Sequence, residues 1–416
     1  MSRRPNILLF LTDDHARWAL PHYGSDGFEA PALQALAARG VVMENAFSNC
    51  PVCSPARATA LTGLMPSQHG VRDFIAAAPE FHRQDWLVGL DTLPEQLSRA
   101  HYRCGLSGKW HLGRDETPAR GFDFWHAMSG TYPVTHDGTQ EISRDGSLRQ
   151  HRGTLTDTIT EGALEFLSAQ PDDRPFFLLV GYYATHSPWQ GQSAARLETA
   201  ARRRWSPEPG TPVPEGFVLK NPERPPLGAE DEALLNYRAA VADIDAGVGR
   251  ILDALDPADT MVIYTADHGL ALGQGGLWGK GNATRPLNLF DTSVRIPAIL
   301  SRPGILPEGR REPRFFDHCD LYATLREVAG LSAPETDGLK RPGRALGRVK
   351  PVQVCEYGPA ARILDANSSG ERRPDHDGTG PLGPALTAFY DDLGCHPPWD
   401  WQPPAAPRFN RSEAWT

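Results

Sequence analysis

The stretch CPVCSPARATALTG, residues 50–63, places a cysteine close to an arginine in a segment that predicts a helix. Ser54 is a favoured helix N-cap, and Pro55 is a favoured first helical residue. Cys53 is therefore expected directly before a helix N-terminus, where the helix dipole and free N–H groups stabilise a thiolate. Arg57 follows on the first turn, and its planar guanidinium suits a tetrahedral oxyanion. The spacing indicates an anion site beside a reactive thiol.

The same stretch contains a Cys-x-x-Cys pair, formed by Cys50 and Cys53. Such pairs occur in redox motifs and as half of a zinc site. The sequence has no second pair with this spacing, and neither role uses the Pro-x-Arg continuation. The anion site is the favoured interpretation, with the redox and zinc roles as its alternatives.

Two adjacent aspartates follow a short apolar run near the start of the sequence. Residues 6–11 have the pattern of a strand buried on both faces, and Asp13 and Asp14 come directly after it. Two carboxylates at the end of a core strand are unfavourable unless a cation or ordered donors neutralise them. The alternative is a helix cap made by Thr12 or Asp13. Because a cap needs only one acidic residue, a metal site is the better interpretation.

Three further predicted strands, 102–106, 176–180 and 261–265, lead into side chains that hold charge or transfer protons. A glycine-rich loop over residues 273–282 adds Lys280. In α/β sheets, binding sites gather at the carboxyl ends of the strands. A metal that faces a bound oxyanion is the natural use of this set. The side chains after the three strands are Lys109, His111, His186, Asp267 and His268.

Strands that alternate with helices predict an α/β fold with a large, mixed, mostly parallel central sheet sandwiched by helices. A change in character near residues 335–348 predicts a catalytic domain over 1–340 and a smaller C-terminal α+β subdomain with a Pro-rich tail over 341–416. Residues 190–230 lack a clear period and are expected to form a surface excursion. The remaining predicted elements are helices 30–39, 92–99, 157–168, 230–255 and 320–329 and strands 41–46, 295–300 and 349–356.

The composition argues against several classes of partner. The 42 Lys and Arg residues against 51 Asp and Glu residues give a net charge of −9, which disfavours nucleic acid. The apolar run 7–11 is too short for a signal peptide core, and no run reaches membrane-spanning length. Six cysteines without a secretion signal indicate reduced thiols in a cytoplasmic protein. We expect no membrane association, and the composition assigns no oligomeric state.

The motifs resemble those of the type I, formylglycine-dependent sulfatases of the alkaline phosphatase superfamily. Residues 53–57, CSPAR, match that family's C-x-P-x-R signature, and the motifs occur in the family's order from about residue 5 to about residue 330. The family's closing acidic, Asn-rich segment has no counterpart after about residue 340. The other matching segments are the opening strand 6–14, the GKWHLG motif 108–113, the H-x-P element 185–188, the second metal motif 265–269 and the lysine segment 277–280.

This resemblance implies that Cys53 is oxidised to formylglycine by a maturation enzyme. It also implies a divalent cation, held by an oxygen of the modified residue and by four further side chains. The implied cation is Ca²⁺, with Mg²⁺ or Mn²⁺ as alternatives, because imidazole is a less typical ligand for hard cations. The four side chains are Asp13, Asp14, Asp267 and His268.

The resemblance further implies a two-step hydrolysis of a small aryl, alkyl or sugar sulfate. One hydroxyl of hydrated formylglycine would attack sulfur, while Arg57, Lys109 and Lys280 spread the charge of the transferring group. His186, together with Lys280, would protonate the leaving oxygen. His111 would then take the proton whose loss expels sulfate.

Two alternative functions stay open at this stage. Phosphonate monoester and phosphodiester hydrolases use the same arrangement, because phosphoryl and sulfuryl groups are nearly isosteric tetrahedra. A sulfate- or metal-binding protein without turnover is the third hypothesis, and the complete set of catalytic residue types argues against it.

Overall fold

Ten strands form one mixed sheet with helices packed against both of its faces. The structure is a computed structural model that describes residues 4–75, 79–129, 138–170, 174–203, 205–208, 210, 212–332, 338–346, 348, 352–365 and 383–400. Within these ranges the strands are, in chain order, Asn6–Thr12 (β1), Val41–Phe47 (β2), Arg103–Gly108 (β3), Phe124–Met128 (β4), Thr139–Arg144 (β5), Ser147–Arg152 (β6), Phe176–Gly181 (β7), Val218–Leu219 (β8), Thr260–Ala266 (β9), Ala271–Leu272 (β10), Trp278–Gly279 (β11), Thr284–Arg285 (β12), Ala298–Ser301 (β13), Arg310–Asp317 (β14), Val352–Tyr357 (β15) and Ala360–Asp365 (β16).

The helices differ widely in length, and the predicted helix 230–255 is the longest one described. None of the helices in the described ranges is long and apolar enough to cross a membrane. The α-helices are Pro31–Ala38 (α1), Cys53–Thr62 (α2), Pro66–His69 (α3), Pro79–His82 (α4), Leu93–Arg99 (α5), Leu155–Ser168 (α6), Ala194–Ala201 (α7), Glu230–Asp253 (α8), Asp291–Val294 (α9), His318–Val328 (α10) and Gly383–Leu393 (α11).

The strand order of the large sheet is β14-β2-β13-β9-β1-β7-β3-β4-β5-β6. The central run β9-β1-β7-β3-β4 is parallel throughout, and β14 also pairs with β2 in parallel. Antiparallel pairing is confined to β13 with its two neighbours and to β4-β5-β6 at the other end. The prediction of a large, mixed, mostly parallel sheet is confirmed. Its parallel core aligns the carboxyl ends of four adjacent strands, β9, β1, β7 and β3, at one edge.

Strand β1 shows why the sheet lies between two layers of helices. Successive side chains of a strand point to opposite faces, so an entirely apolar strand needs cover on both sides. Leu8 and Phe10 belong to an apolar cluster that includes residues of α1, α6 and α8. Leu9 and Leu11 belong to a second cluster, which includes residues of α2, α5 and α10. The apolar run 7–11 is fully buried between these clusters, as its pattern predicts.

The C-terminal part contributes a two-stranded hairpin, β15–β16, and helix α11. Val354 and Ile363 of the hairpin pack with Tyr390 of α11 and also with Met65 and Cys319 of the main part. The predicted strand 349–356 corresponds to β15. Residues 333–337 and 349–351 lie outside the described ranges, as do the tail residues 401–416, so the division near residue 340 stays a prediction.

Two glycines of α8 provide a matched test of the packing of this helix against the sheet. A Cβ on Gly247 would lie 2.5 Å from the hydroxyl of Tyr182 and 2.6 Å from Oγ1 of Thr160. These two oxygens are hydrogen-bonded to each other at 2.8 Å in the buried core. A Cβ on Gly249, two residues later, would meet only the Cβ of Ala32, at 3.4 Å.

We therefore expect Gly247→Ala and Gly249→Ala to change stability in opposite directions. Gly247→Ala should lower the free energy of unfolding by about 1–3 kcal/mol, because the added methyl overpacks the core. Gly249→Ala should raise it by roughly 0.5–1 kcal/mol, because alanine stabilises a helix relative to glycine. Urea denaturation followed by circular dichroism measures both variants. Equal midpoints for the two variants would contradict this account of the packing.

Candidate active site

Three parallel strands of the central run deliver charged side chains to the same edge of the sheet. Asp13 and Asp14 follow β1, Asp267 follows β9, and Lys109 follows β3. Hydrogen bonds between the segments continue beyond the strands: the N–H of Asp13 donates to the Tyr182 carbonyl at 2.9 Å, and that of Asp267 donates to the Thr12 carbonyl at 2.9 Å. These backbone hydrogen bonds fix the positions of the Cα atoms of Asp13 and Asp267 at the sheet edge.

Cys53 lies beside this edge, at the first turn of α2. The helix begins at Cys53 itself with Val52 as its N-cap, so the expectation that Ser54 caps the helix is wrong. The hydroxyl of Ser54 instead accepts a hydrogen bond from the N–H of Ile75, at 3.0 Å. The helix ends at Gly63, which adopts the left-handed conformation with φ 67° as expected. Every residue of α2 is buried.

The electrostatic surroundings of Cys53 favour its thiolate form. Burial raises the pKa of the Cys53 thiol, but the charges of Lys109 and His111 and hydrogen bonds from His111 and His268 hold the pKa well below its ordinary value. Buried thiols without such neighbours behave differently, since burial and nearby carboxylates raise the pKa of Cys50 well above its ordinary value. Position 53 is therefore a site that accommodates negative charge.

Three carboxylates and one imidazole form a buried cluster next to Cys53. One ligand atom from each of Asp13, Asp14, Asp267 and His268 lies within 4.8 Å of all the others. Nε2 of His268 is 3.1 Å from Oδ1 of Asp14 and 3.6 Å from Oδ1 of Asp267. Nδ1 of His268 lies 2.9 Å from the Gly269 carbonyl and donates to it, which directs Nε2 into the cluster.

The cluster fits a divalent cation. Oδ1 of Asp13 is buried and has no hydrogen-bond partner among the described residues. Burial and the charge of Asp13 raise the pKa of Asp267 to about 7, so the carboxylates oppose one another's ionisation. A cation among them would relieve both effects. Carboxylate oxygens are the preferred ligands of Ca²⁺, Mg²⁺ and Mn²⁺.

Each carboxylate of the cluster also pairs with a different lysine or arginine. Lys109 Nζ pairs with Asp13, and Lys280 Nζ lies 2.8 and 3.1 Å from the two oxygens of Asp14. Nε of Arg57 donates to Oδ2 of Asp267 at 2.9 Å. These pairs lie in the interior, where a charge without a partner is costly.

The guanidinium of Arg57 is tied into the scaffold at several points. Beyond Asp267, it donates to the carbonyls of Lys109 at 3.0 Å and Leu11 at 3.3 Å. Its side chain is 1 % exposed. These contacts connect α2 to the ends of β1 and β3 and orient the carboxylate of Asp267. A direct contact of Arg57 with a transferring group stays a prediction.

His111 and His186 are oriented by backbone carbonyls on either side of the cluster. Nε2 of His111 lies 2.9 Å from the Ile75 carbonyl and donates to it, which turns the other ring nitrogen towards Cys53. Nδ1 of His186 donates to the Ser187 carbonyl at 2.6 Å, so Nε2 accepts from Lys280 Nζ at 3.3 Å. Burial and the charge of Lys280 lower the pKa of His186 to about 4. Lys280 and His186 thus form a hydrogen-bonded pair.

All ten side chains that the sequence identifies as candidates therefore converge in one region. Sequence reasoning missed Glu223, whose Oε1 lies 3.6 Å from Lys280 Nζ, and Tyr183, whose hydroxyl is 3.2 Å from Nδ1 of His186. Glu223 comes from the segment 190–230, which was expected to be only a surface excursion. No motif or period marks either residue. Tertiary packing brings Glu223 to Lys280, whereas Tyr183 lies only three residues before His186 in the chain.

The chain is similar in sequence to two named sulfatases. The chain is 30% identical to a canine N-acetylgalactosamine-6-sulfatase over 371 residues, which cover 80% of this chain and 65% of that protein. It is 27% identical to a choline-sulfatase of Rhizobium meliloti over 99% of this chain and 90% of that protein.

Its fold matches the crystal structure of a phosphonate monoester hydrolase of Agrobacterium radiobacter with a TM-score of 0.61 and 19% identity, covering 94% of this chain and 93% of that one. The chain thus spans about two thirds of the length of the mammalian relative and nearly all of the bacterial ones. The family model described as Sulfatase matches residues 5–331. On this evidence the chain belongs to the sulfatase family.

Proposed function

We propose that the protein hydrolyses a sulfate monoester to an alcohol and sulfate. One observation carries the proposal: a buried residue at a helix start, Cys53, lies beside a cluster whose side chains could hold a cation, and it is flanked by Lys109 and His111. A tetrahedral oxyanion bound there meets positive charge from several directions. Family membership supports the same reaction, and the canine and Rhizobium meliloti relatives are both named as sulfatases.

Two groups beyond the ordinary side chains belong to this proposal. Formylglycine at position 53, made by a maturation enzyme, would supply a hydrated aldehyde with two hydroxyls, whereas a thiol supplies none. A divalent cation, Ca²⁺ first and Mg²⁺ or Mn²⁺ as alternatives, would supply positive charge next to it. The cation would be held by Asp13, Asp14, Asp267 and His268, together with an oxygen of the modified residue 53.

The remaining residues bind the substrate and move protons. Lys109 and Lys280 present ammonium groups beside the cluster and would stabilise the oxygens of the transferring group. Lys280 donates to Nε2 of His186, so the pair can deliver a proton to the leaving oxygen. His111, fixed by the Ile75 carbonyl, is placed to accept a proton from the group at position 53. Arg57 would keep Asp267 aligned with the transferring group.

The first test compares sulfate and phosphonate esters. Matured protein, with formylglycine at position 53 verified by mass spectrometry, should hydrolyse 4-nitrophenyl sulfate faster than a phenylphosphonate monoester. Cys53→Ala should lower kcat by about 10³-fold or more, because it removes the nucleophile. Cys395→Ala, which alters a cysteine of the C-terminal part, is the matched control and should retain activity.

Much faster turnover of the phosphonate would replace the proposal with a phosphonate monoester hydrolase. Absence of turnover for every ester, with cysteine unmodified in protein from the native host, would favour a binding protein.

The second test concerns protonation of the leaving group by His186. His186→Ala should lower kcat/KM for an alkyl sulfate by about 10²–10⁴-fold, the usual contribution of general acid catalysis. Because 4-nitrophenolate leaves without a proton, its sulfate should lose less than about tenfold. His396→Ala, on the exposed surface, serves as the control. Equal losses for both esters would contradict this role of His186.

The third test measures cation binding through stability. After chelation, addition of Ca²⁺, Mg²⁺ or Mn²⁺ should raise the unfolding temperature, since a cation at about 100 times its Kd adds about 2.7 kcal/mol. Asp13→Asn and Asp267→Asn should abolish the increase, and the exposed Asp253→Asn should keep it. Differential scanning fluorimetry provides the measurement. An increase of equal size in Asp267→Asn would place the cation elsewhere.

A further inference from the structure

A pocket of about 520 Å³ adjoins the candidate active site on the side of His186. One wall is Ser187, Pro188 and Trp189, which directly follow that histidine in the chain. The opposite wall comes from the segment 222–226 and the first turns of α8. Its volume lies in the range of pockets that bind small molecules, roughly 300–1,000 Å³. Since His186 is placed to protonate the leaving oxygen, this pocket lies where the alcohol part of the ester would extend.

Glu223 links this pocket to the active site. It lines the pocket, and its Oε1 lies 3.6 Å from Nζ of Lys280. Lys280 is therefore held between two carboxylates, Asp14 on the side of the cluster and Glu223 on the side of the pocket. The ion pair with Lys280 uses Oε1 of Glu223, so Oε2 is not engaged by this lysine.

That second oxygen lacks a partner. The side chain of Glu223 is 11% exposed, and its Oε2 is buried without a hydrogen-bond partner among the described residues. A buried acceptor without a donor costs free energy, so its presence beside a pocket calls for a ligand that donates a hydrogen bond. The requirement is stronger for an ionised carboxylate than for a neutral acceptor.

The rest of the pocket combines acidic charge with an apolar wall. Glu232 also lines it, and the guanidinium of the lining residue Arg224 pairs with Glu230 at 3.2 Å. The indole N–H of Trp189 donates to the Thr185 carbonyl at 2.9 Å, which fixes the ring as an apolar surface. The pocket therefore suits a carbon skeleton that bears hydrogen-bond donors and disfavours one that bears further anions.

We propose that this pocket binds the alcohol portion of the substrate and that Glu223 accepts a hydrogen bond from a donor on that alcohol. The donor is a hydroxyl or an ammonium group. Esters whose alcohol carries additional sulfate or carboxylate groups are poor substrates. The proposal rests on the proposed sulfate ester hydrolysis and specifies the substrate class of the same site.

The experiment compares Glu223→Gln and Glu223→Ala with the wild-type protein, all carrying formylglycine. The probes are galactose 6-sulfate with hydroxyl donors, 2-aminoethyl sulfate with a protonated primary ammonium group, and 4-nitrophenyl sulfate with neither. For the donor-type ester that the wild type prefers, Glu223→Ala should lower kcat/KM by about 10- to 100-fold, mainly through KM. The loss for 4-nitrophenyl sulfate should stay below about threefold. Glu198→Gln, an exposed change on α7, is the matched control.

Glu223→Gln separates the two donors. An ammonium ester needs the charge, so the loss in Glu223→Gln should equal that in Glu223→Ala. A hydroxyl ester should recover part of the loss, because the amide oxygen still accepts a hydrogen bond. Equal losses for all three esters would mean that Glu223 acts only through Lys280, and the proposal would be overturned.

Binding without turnover keeps the two proposals distinguishable. Calorimetry with the Cys53→Ala protein should show that the preferred donor-type ester binds about 10- to 100-fold more weakly when Glu223→Ala is added. If the Cys53→Ala protein binds the ester in a way that depends on Glu223 but the matured wild-type protein hydrolyses no sulfate ester, only the proposed reaction is refuted. Binding that is absent or insensitive to Glu223 would refute the pocket proposal.

Discussion

The structure depends on the neutralisation of three carboxylates that the fold forces together in its interior. Parallel strands β1 and β9 place Asp13, Asp14 and Asp267 at one sheet edge, where all three side chains are completely buried. The desolvation of one such charge costs several kcal/mol or more, so three in contact require compensation. Lys109, Lys280 and Arg57 each approach a different carboxylate. This pairing explains why basic residues come from three separate segments of the chain.

The same pairing connects stability to chemistry. Burial lowers the pKa of His268, but the charges of Asp267 and Asp14 raise it. The charges outweigh burial and raise this pKa to about 9. Charges of Asp14 and Glu223 raise the pKa of Lys280 well above its ordinary value although burial opposes this. The site thus keeps its lysine protonated inside the protein. An oxyanion bound here, as proposed, would meet positive charge that water does not screen.

The sequence predicts the parts of this site that depend on local pattern. An apolar strand followed by charged side chains identifies Asp13, His186 and Asp267, because parallel strands end at one edge of the sheet. The local pattern gives a wrong prediction at Ser54, because a serine hydroxyl can accept a hydrogen bond from N–H groups other than those of the helix that follows it. The hydroxyl accepts a hydrogen bond from the N–H of Ile75, a residue distant in the chain, and the helix begins two residues earlier than predicted, at Cys53. The local sequence pattern also cannot predict Glu223 as a site residue, because only tertiary packing brings its segment to Lys280.

The C-terminal hairpin shows how far the site extends beyond its motifs. Tyr357 of β15 shares an apolar cluster with Cys53, and its hydroxyl donates to Asp73 at 2.9 Å. A Cβ on Gly281 would lie 2.8 Å from its ring, so the residue after Lys280 must be small for the tyrosine to fit. One side chain thereby packs on the segments that carry the candidate nucleophile and the lysine. It also braces the segment leading to Ile75, whose carbonyl orients His111. These contacts cross the predicted division near residue 340, so the hairpin packs directly on the segments that carry the candidate site.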